Sequence, residues 1–201
     1  MNRGQRFARL ATDVVVRQPA LWRLFRRATR KQFDSLAPVW DARRDPAAFA
    51  PVTAVLDTLR TPPRRVLDLG TGTGSVARLV AERFPDAEVV GVDIAERMID
   101  EARAKTESDR VQYVVADAQH LPFEAGAFDL VTLSNMIPFF DELARVVAPG
   151  GRVVFAFSVG PDTPIYVAPA RLRAELGRRG FSDFGEHAAG RGTSLIARKA
   201  E

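Results

Sequence analysis

Between Val66 and Phe84 the chain passes from a short apolar run, through a glycine-rich turn, into a segment with helical spacing. Few folds accept that succession. Val66-Leu67-Asp68-Leu69 predicts a strand, Gly70-Thr71-Gly72-Thr73-Gly74 a sharp turn, and Val76 to Phe84 a helix. The same alternation continues downstream. Strands are predicted over 87–93, 111–116, 128–133 and 152–157, with helices over 95–105, 141–147 and 168–179. Pro149-Gly150-Gly151 turns the chain into the fifth strand, and Gly180 marks a helix stop. Two last runs, 181–187 and 193–199, flank a glycine-containing turn and predict a hairpin. The expected fold class is α/β: a Rossmann-like, doubly wound sheet of seven strands, mostly parallel, with an antiparallel C-terminal strand. An α-helical cap precedes it. Residues 1–60 are expected to form the cap and lid, and 61–201 the core.

Glycines at such a turn let the backbone bend tightly and let a ligand approach main-chain N–H groups. The helix behind them favours a negative group, whether pyrophosphate or carboxylate. Asp93 ends the second strand, 19 residues after Gly74, where an acid can accept hydrogen bonds from two ribose hydroxyls. Gly72-Thr73-Gly74-Ser75-Val76-Ala77 also satisfies the dinucleotide pattern G-x-G-x-x-A, so the loop alone leaves the ligand open.

Further residues narrow it. The loop reads acid-x-Gly-x-Gly-x-Gly from Asp68; Asp117-Ala118 closes the third strand; Leu121-Pro122-Phe123 and Phe128-Asp129-Leu130-Val131 follow; Ala148-Pro149-Gly150-Gly151 precedes the fifth. With these motifs the chain resembles the class I S-adenosylmethionine-dependent methyltransferases, and most of all their ubiquinone/menaquinone C-methyltransferase branch. The likeness spans about residues 33–199. It includes Phe33-Asp34-Ser35-Leu36-Ala37-Pro38-Val39-Trp40-Asp41, similar to that branch's lid segment with Trp40 in place of a tyrosine. The resemblance implies S-adenosylmethionine as cofactor and S-adenosylhomocysteine as product. It implies that Gly70, Gly72 and Gly74 line the methionine moiety, with Asp68 near its ammonium end. Asp93 would take the ribose hydroxyls, Ile94 and Met98 would lie against adenine, and Asp117 would accept from the adenine amino group beside the backbone of Ala118. Ser134 would lie near the methionine portion. An acid at Asp93 would repel a 2′-phosphate, which argues against the phosphorylated nicotinamide cofactor.

The acceptor side departs from that family's pattern. Only 15 residues separate Leu133 from Pro149, and Ser134-Asn135-Met136-Ile137-Pro138-Phe139-Phe140 holds no titratable group. No Asn-Pro-Pro-Tyr tetrapeptide is present, and with no cysteine the covalent route to cytosine C5 is closed. His120, His187, Tyr166 and Asp41 are the candidate bases, though the histidines read first as hydrogen-bonded structural groups, and no catalytic residue is assigned. Trp40, Phe139 and Phe140 are candidate walls for an aromatic acceptor. No metal site is expected.

Charge is unevenly placed. Residues 1–31 hold nine Lys/Arg and one acid, while the remaining 170 hold 20 basic and 24 acidic side chains. Two amphipathic helices are predicted there, with stripes Phe7, Leu10, Ala11, Val14, Val15 and Leu21, Trp22, Phe25, Ala28, and with Arg3, Arg6 and Arg9 turned elsewhere. A further pair is expected over 33–44 and 47–60. The basic segment admits three readings: a packed cap or homodimer element, a peripheral membrane anchor using Trp22 and Phe25, or a nucleic-acid contact. The last fits least, because the catalytic part is acidic. No leader or spanning helix is predicted, and the absence of cysteine suits a cytoplasmic protein. The expected partner is a small, hydrophobic methyl acceptor, methylated on oxygen or carbon. A non-catalytic cofactor-binding sensor and a nicotinamide-dependent oxidoreductase are the alternatives.

Overall fold

The computed structural model describes residues 3–43 and 45–201; the placement of Arg3's side chain and the helix end expected at Arg44 lie outside the described residues, as do Met1 and Asn2. Seven strands form one sheet: β1 Arg65–Leu69, β2 Glu88–Asp93, β3 Val111–Val115, β4 Phe128–Ser134, β5 Val147–Phe157, β6 Phe181–Ala189 and β7 Gly192–Lys199. Their order is β3-β2-β1-β4-β5-β7-β6. β1 to β5 pair in parallel, and β7 runs antiparallel to both β5 and β6. The α/β expectation and the C-terminal hairpin hold. β1 and β4 carry the centre of the sheet and are apolar on both faces, as strands covered by helices on two sides must be: Val66, Leu67, Leu130 and Val131 are fully buried.

The helices are α1 Arg3–Arg17, α2 Trp22–Leu36, α3 Ala50–Leu56, α4 Ser75–Arg83, α5 Glu96–Ala104, α6 Phe140–Val146 and α7 Pro169–Gly177. α3, α4 and α5 cover one face, where Val55, Leu56, Val80 and Ile99 meet Val66, Val89 and Val154. The other face lies under α6, α7 and the first two helices, with Val15, Trp22, Leu143 and Leu172 against Val131, Val153 and Phe155. Strand order reverses between β1 and β4, so the carboxyl ends of these strands open a crevice at the point where open α/β sheets bind ligands.

Four expectations change. No separate helix spans 33–44: α2 runs on to Leu36 and gives way to 3-10 turns at Ala37–Val39 and Asp41–Arg43, because Pro38 has no N–H to continue the ladder. The 47–60 helix shortens to a 3-10 turn at Pro46–Phe49 followed by α3. β5 begins at Val147 rather than Arg152, since Val147 already pairs with Phe128 before a register shift. The α1 stripe is rotated: Ala11, Thr12, Val15 and Val16 are buried, whereas Leu10 is 56% exposed. Arg9 is turned inward, donating to the carbonyls of Pro161 and Thr163, both at 2.8 Å. In α2 Trp22 is buried, Phe25 is half-buried and Ala28 is exposed.

Candidate cofactor site

The glycine loop leaves β1 at the crevice and is hung from the neighbouring strand: the N–H groups of Gly70 and Thr71 both donate to the Val92 carbonyl, at 2.8 and 2.9 Å. Gly70 and Gly74 sit at φ +73° and +78°, in the left-handed region that glycine enters freely. Space reinforces the choice. A Cβ on Gly70 would stand 2.7 Å from Met136 Sδ, and one on Gly74 would strike the Tyr113 hydroxyl. Gly91 on β2 makes the room for that Tyr113 ring and for Thr71.

Asp68 is 1% exposed and lies inside the sheet rather than at its mouth. Its Oδ2 accepts from Thr71 Oγ1 at 2.6 Å and its Oδ1 from Thr132 Oγ1 at 2.8 Å. The carboxylate therefore ties the loop to β4. Asp93 ends β2 beside the loop: Oδ2 accepts from the Gly72 N–H at 3.0 Å and Oδ1 from the Ala95 N–H at 2.9 Å. Desolvation pushes its carboxyl up to about 6, against those backbone donors and with help from the nearby Asp68 charge.

Met98 is fully buried with Ala95 and Ala37, beneath Phe33, Leu36 and Trp40, and Ile94 is half-buried. Trp40 closes over Gly72, with its indole nitrogen 3.4 Å from where a Cβ would be. Its neighbour Asp41 accepts from Thr73 Oγ1 at 2.6 Å and from Lys105 Nζ at 3.0 Å. Burial opposes ionisation of Asp41, but the Thr73 and Lys105 hydrogen bonds and the Lys105 charge hold its carboxyl below the ordinary value. A carboxylate thus stands against Thr73 of the glycine loop, just before α4.

Asp117 follows β3, one strand beyond Asp93. Its Oδ1 accepts from Trp22 Nε1 at 2.8 Å and from the Gln119 N–H at 3.0 Å, and Arg26 lies 3.8 Å from Oδ2. Ala118 is buried beside it. Ser134 closes β4, opposite Ala156. The next residue, Asn135, has φ +52° and is clamped to β5: its Nδ2 donates to Ser158 Oγ at 3.1 Å and its Oδ1 accepts from the Ser158 N–H at 3.0 Å. Strain of this kind is tolerated where surrounding bonds over-determine it.

Gly70, Gly72, Asp93, Met98 and the lid are thus gathered on one crevice, with Asp117 at its β3 end. The candidate bases are not gathered. His120 is exposed, His187 lies on the edge strand β6, and Tyr166 is stacked edge-on against Phe157 at 4.9 Å. Phe140 packs into the core against Phe155, whereas Phe139 meets Trp22 edge-on at 5.6 Å. Sequence reading missed Thr71, Thr132, Tyr113, the Asn135–Ser158 clamp and Trp22 at Asp117. Only Thr71, three residues from its partner, carried a local signal. Two surface cavities of about 280 and 320 Å³ are lined by Thr53, Asp57 and Arg83, and by Pro62, Asp129 and Pro149, away from the glycine loop.

Residues 66–151 match the family model described as a methyltransferase domain. Demethylmenaquinone methyltransferase of Thermus thermophilus is 48% identical over 105 residues, covering 48% of this chain and 48% of that protein. The malonyl-[acyl-carrier protein] O-methyltransferase of Legionella pneumophila is 40% identical over 116 residues, covering 54% of this chain and 40% of that one. The chain spans about half the length of these curated relatives or less. Among solved structures, an S-adenosylmethionine-dependent methyltransferase from Aquifex aeolicus superposes with a TM-score of 0.66 at 17% identity, over 84% of this chain and 97% of that one, a likeness of fold. Motif order, sheet order and these similarities together place the chain among the class I S-adenosylmethionine-dependent methyltransferases, resembling their quinone-methylating branch.

Proposed function

We propose that this chain transfers a methyl group from S-adenosylmethionine to a small hydrophobic acceptor, on oxygen or carbon. The observation that carries this reading is the arrangement along the carboxyl ends of β1, β2 and β3: the glycine loop, then the carboxylates of Asp93 and Asp117. A nucleoside joined to an amino acid presents hydroxyls and amino groups, and a row of carboxylates meets them. Gly70, Gly72 and Gly74 would border the methionine part, with Asp68 holding the loop and Ser134 across the crevice. Asp93 would bind the ribose, Ile94 and Met98 would flank the adenine, and Asp117 with the Ala118 backbone would receive its edge. A dinucleotide suits the site less, because a pyrophosphate at the glycine loop would meet the like charge of the Asp41 carboxylate, which is bonded to Thr73.

When bound, S-adenosylmethionine supplies a methyl group already activated by its sulfonium. The protein's task is then to hold the acceptor in line and to keep water out. Ile137 and Phe139 are buried on the acceptor side, and the loop 134–139 carries no charge. Those features suit a lipophilic ring of the demethylmenaquinone kind better than a free carboxylate. No side chain is assigned as general base.

The cap, residues 1–60, and the core, 61–201, complete this reading, with α3 lying on the β5–β7 side of the sheet. No helix among the described residues is long and apolar enough to cross a membrane. The outward faces of α1 and α2 instead present Arg17, Arg23, Arg27 and Lys31 with Leu10 and Leu24, the latter 66% exposed. We read this face as a peripheral contact with an anionic leaflet, on the cytoplasmic side, from which a lipophilic acceptor would be drawn. Calorimetric titration tests the central claim. Wild type should bind S-adenosylhomocysteine and not NADH, and Asp93→Ala should lose that binding by about 1–3 kcal/mol, roughly 5- to 150-fold. NADH binding instead would make the chain an oxidoreductase; binding of neither would favour a non-catalytic role.

A further inference from the structure

We propose that Trp22 is an internal ligand of the adenine subsite, so that the α1–α2 cap and the cofactor compete for Asp117. This rests on the cofactor reading above and goes beyond it. Trp22 is 3% exposed, although it is the first residue of a helix whose next two residues, Arg23 and Leu24, are exposed. Its indole N–H donates to Asp117 Oδ1 at 2.8 Å, and its ring packs edge-on against Phe139. A planar aromatic group with one N–H edge turned to this carboxylate is what an adenine with its amino group would also offer. The same oxygen already receives the Gln119 N–H, so a further donor crowds it.

The cap is fastened at both ends. At the far end of α2, Asp34 accepts from the Arg97 N–H at 3.1 Å, and beyond it Asp41 is bound to Thr73 and Lys105. At the near end, besides Trp22 itself, the polar ties of α2 are exposed: Arg26 at 3.8 Å from Asp117, and Gln119 Nε2 donating to the Pro19 carbonyl at 3.1 Å. Helix α1 is held by its buried Ala11 and Val15 and by Arg9 on the Pro161 and Thr163 carbonyls. Gln18 and Pro19 break the helix immediately before Trp22, which supplies a joint. Displacing Trp22 at this joint would free Asp117 and uncover Phe139 together. Cofactor admission and opening of the acceptor side would then be one event.

The chain has two tryptophans, Trp22 and Trp40, so 5-fluorotryptophan gives two ¹⁹F resonances, assignable with Trp22→Phe and Trp40→Phe. On saturation of the full-length protein with S-adenosylhomocysteine, the Trp22 resonance should acquire the H₂O/D₂O isotope shift of an exposed ring. Trp22→Phe, which keeps an apolar ring but lacks the N–H, should bind S-adenosylhomocysteine about tenfold tighter, because less of the protein is held in the closed form. Binding with an unshifted Trp22 resonance, or unchanged or weaker binding by Trp22→Phe, overturns the inference and leaves the cofactor reading standing. If neither wild type nor Trp22→Phe binds S-adenosylhomocysteine, both fall.

Discussion

Asp93 is a carboxyl group asked to serve in ionised form from a place that penalises its charge. Desolvation raises it to about 6, whereas an unfolded aspartate titrates near 4. The folded state therefore holds the proton more tightly, and Asp93's contribution to stability is fully present below pH 4 and lost as the pH climbs through 6. Ligand binding has the opposite sign, since ribose hydroxyls are best met by the ionised form. Affinity for S-adenosylhomocysteine should fall by about tenfold from pH 7 to pH 5, and Asp93→Asn, which cannot titrate, should bind more weakly but without that slope. Calorimetry across the range checks it, and a flat wild-type profile would remove Asp93 from the ribose position. Residues of this kind were legible because their chemistry is local: an acid ending a predicted strand, a fixed distance past a glycine turn. Trp22 and Thr132 were not, because their partners Asp117 and Asp68 lie 95 and 64 residues away and meet them only through the sheet order.

At the scale of elements, α5 lacks a side-chain cap of its own, for Ala95 stands at its N-cap position. Asp34, from α2, fills the gap by accepting from the Arg97 N–H, and Arg30 adds an exposed pair with Glu96 at 3.1 Å. One helix thus caps another across the crevice. Asp34→Ala should lower stability by about 1 kcal/mol, seen as a lower urea midpoint at unchanged slope, and Asp34→Asn should recover most of it. Loss confined to the Arg30 pair would be smaller, because exposed ion pairs contribute about 0–1 kcal/mol. Elements also show where periodicity is insufficient. The strands and α4 to α7 were readable from apolar spacing, but the path from Leu36 to Ala50 was not: prolines 38, 46 and 51 shape it into short turns, and the lid's position comes from Asp41 and Trp40 meeting the glycine loop.

Across the whole molecule, charge divides sharply, with eight net positive charges in residues 1–31 on an otherwise acidic chain. Each arginine near an anionic leaflet contributes about 1 kcal/mol, and this attraction is screened by salt. The protein should sediment with phosphatidylserine vesicles at low ionic strength and be released by 0.5 M salt, roughly a 4–5 Å screening length. Glu substitutions at Arg23, Arg27 and Lys31 together should abolish sedimentation while leaving S-adenosylhomocysteine affinity unchanged, since all three are exposed. Sedimentation that survives the triple change would assign the basic face another partner.

The Asp68 clamp has a bearing on how the molecule comes to exist at all. One carboxylate oxygen is satisfied within the loop by Thr71, but the other waits for Thr132, which arrives only when β4 has paired alongside β1. A chain with β1, α4 and β2 formed and β4 still unpaired would lack the Thr132 bond to the buried Asp68 carboxylate and, with it, the loop's tie to β4. The clamp on the glycine cradle is thus completed by a long-range strand pairing. During synthesis, nascent chains shorter than about Ser134 would have the motif in full and no competent site.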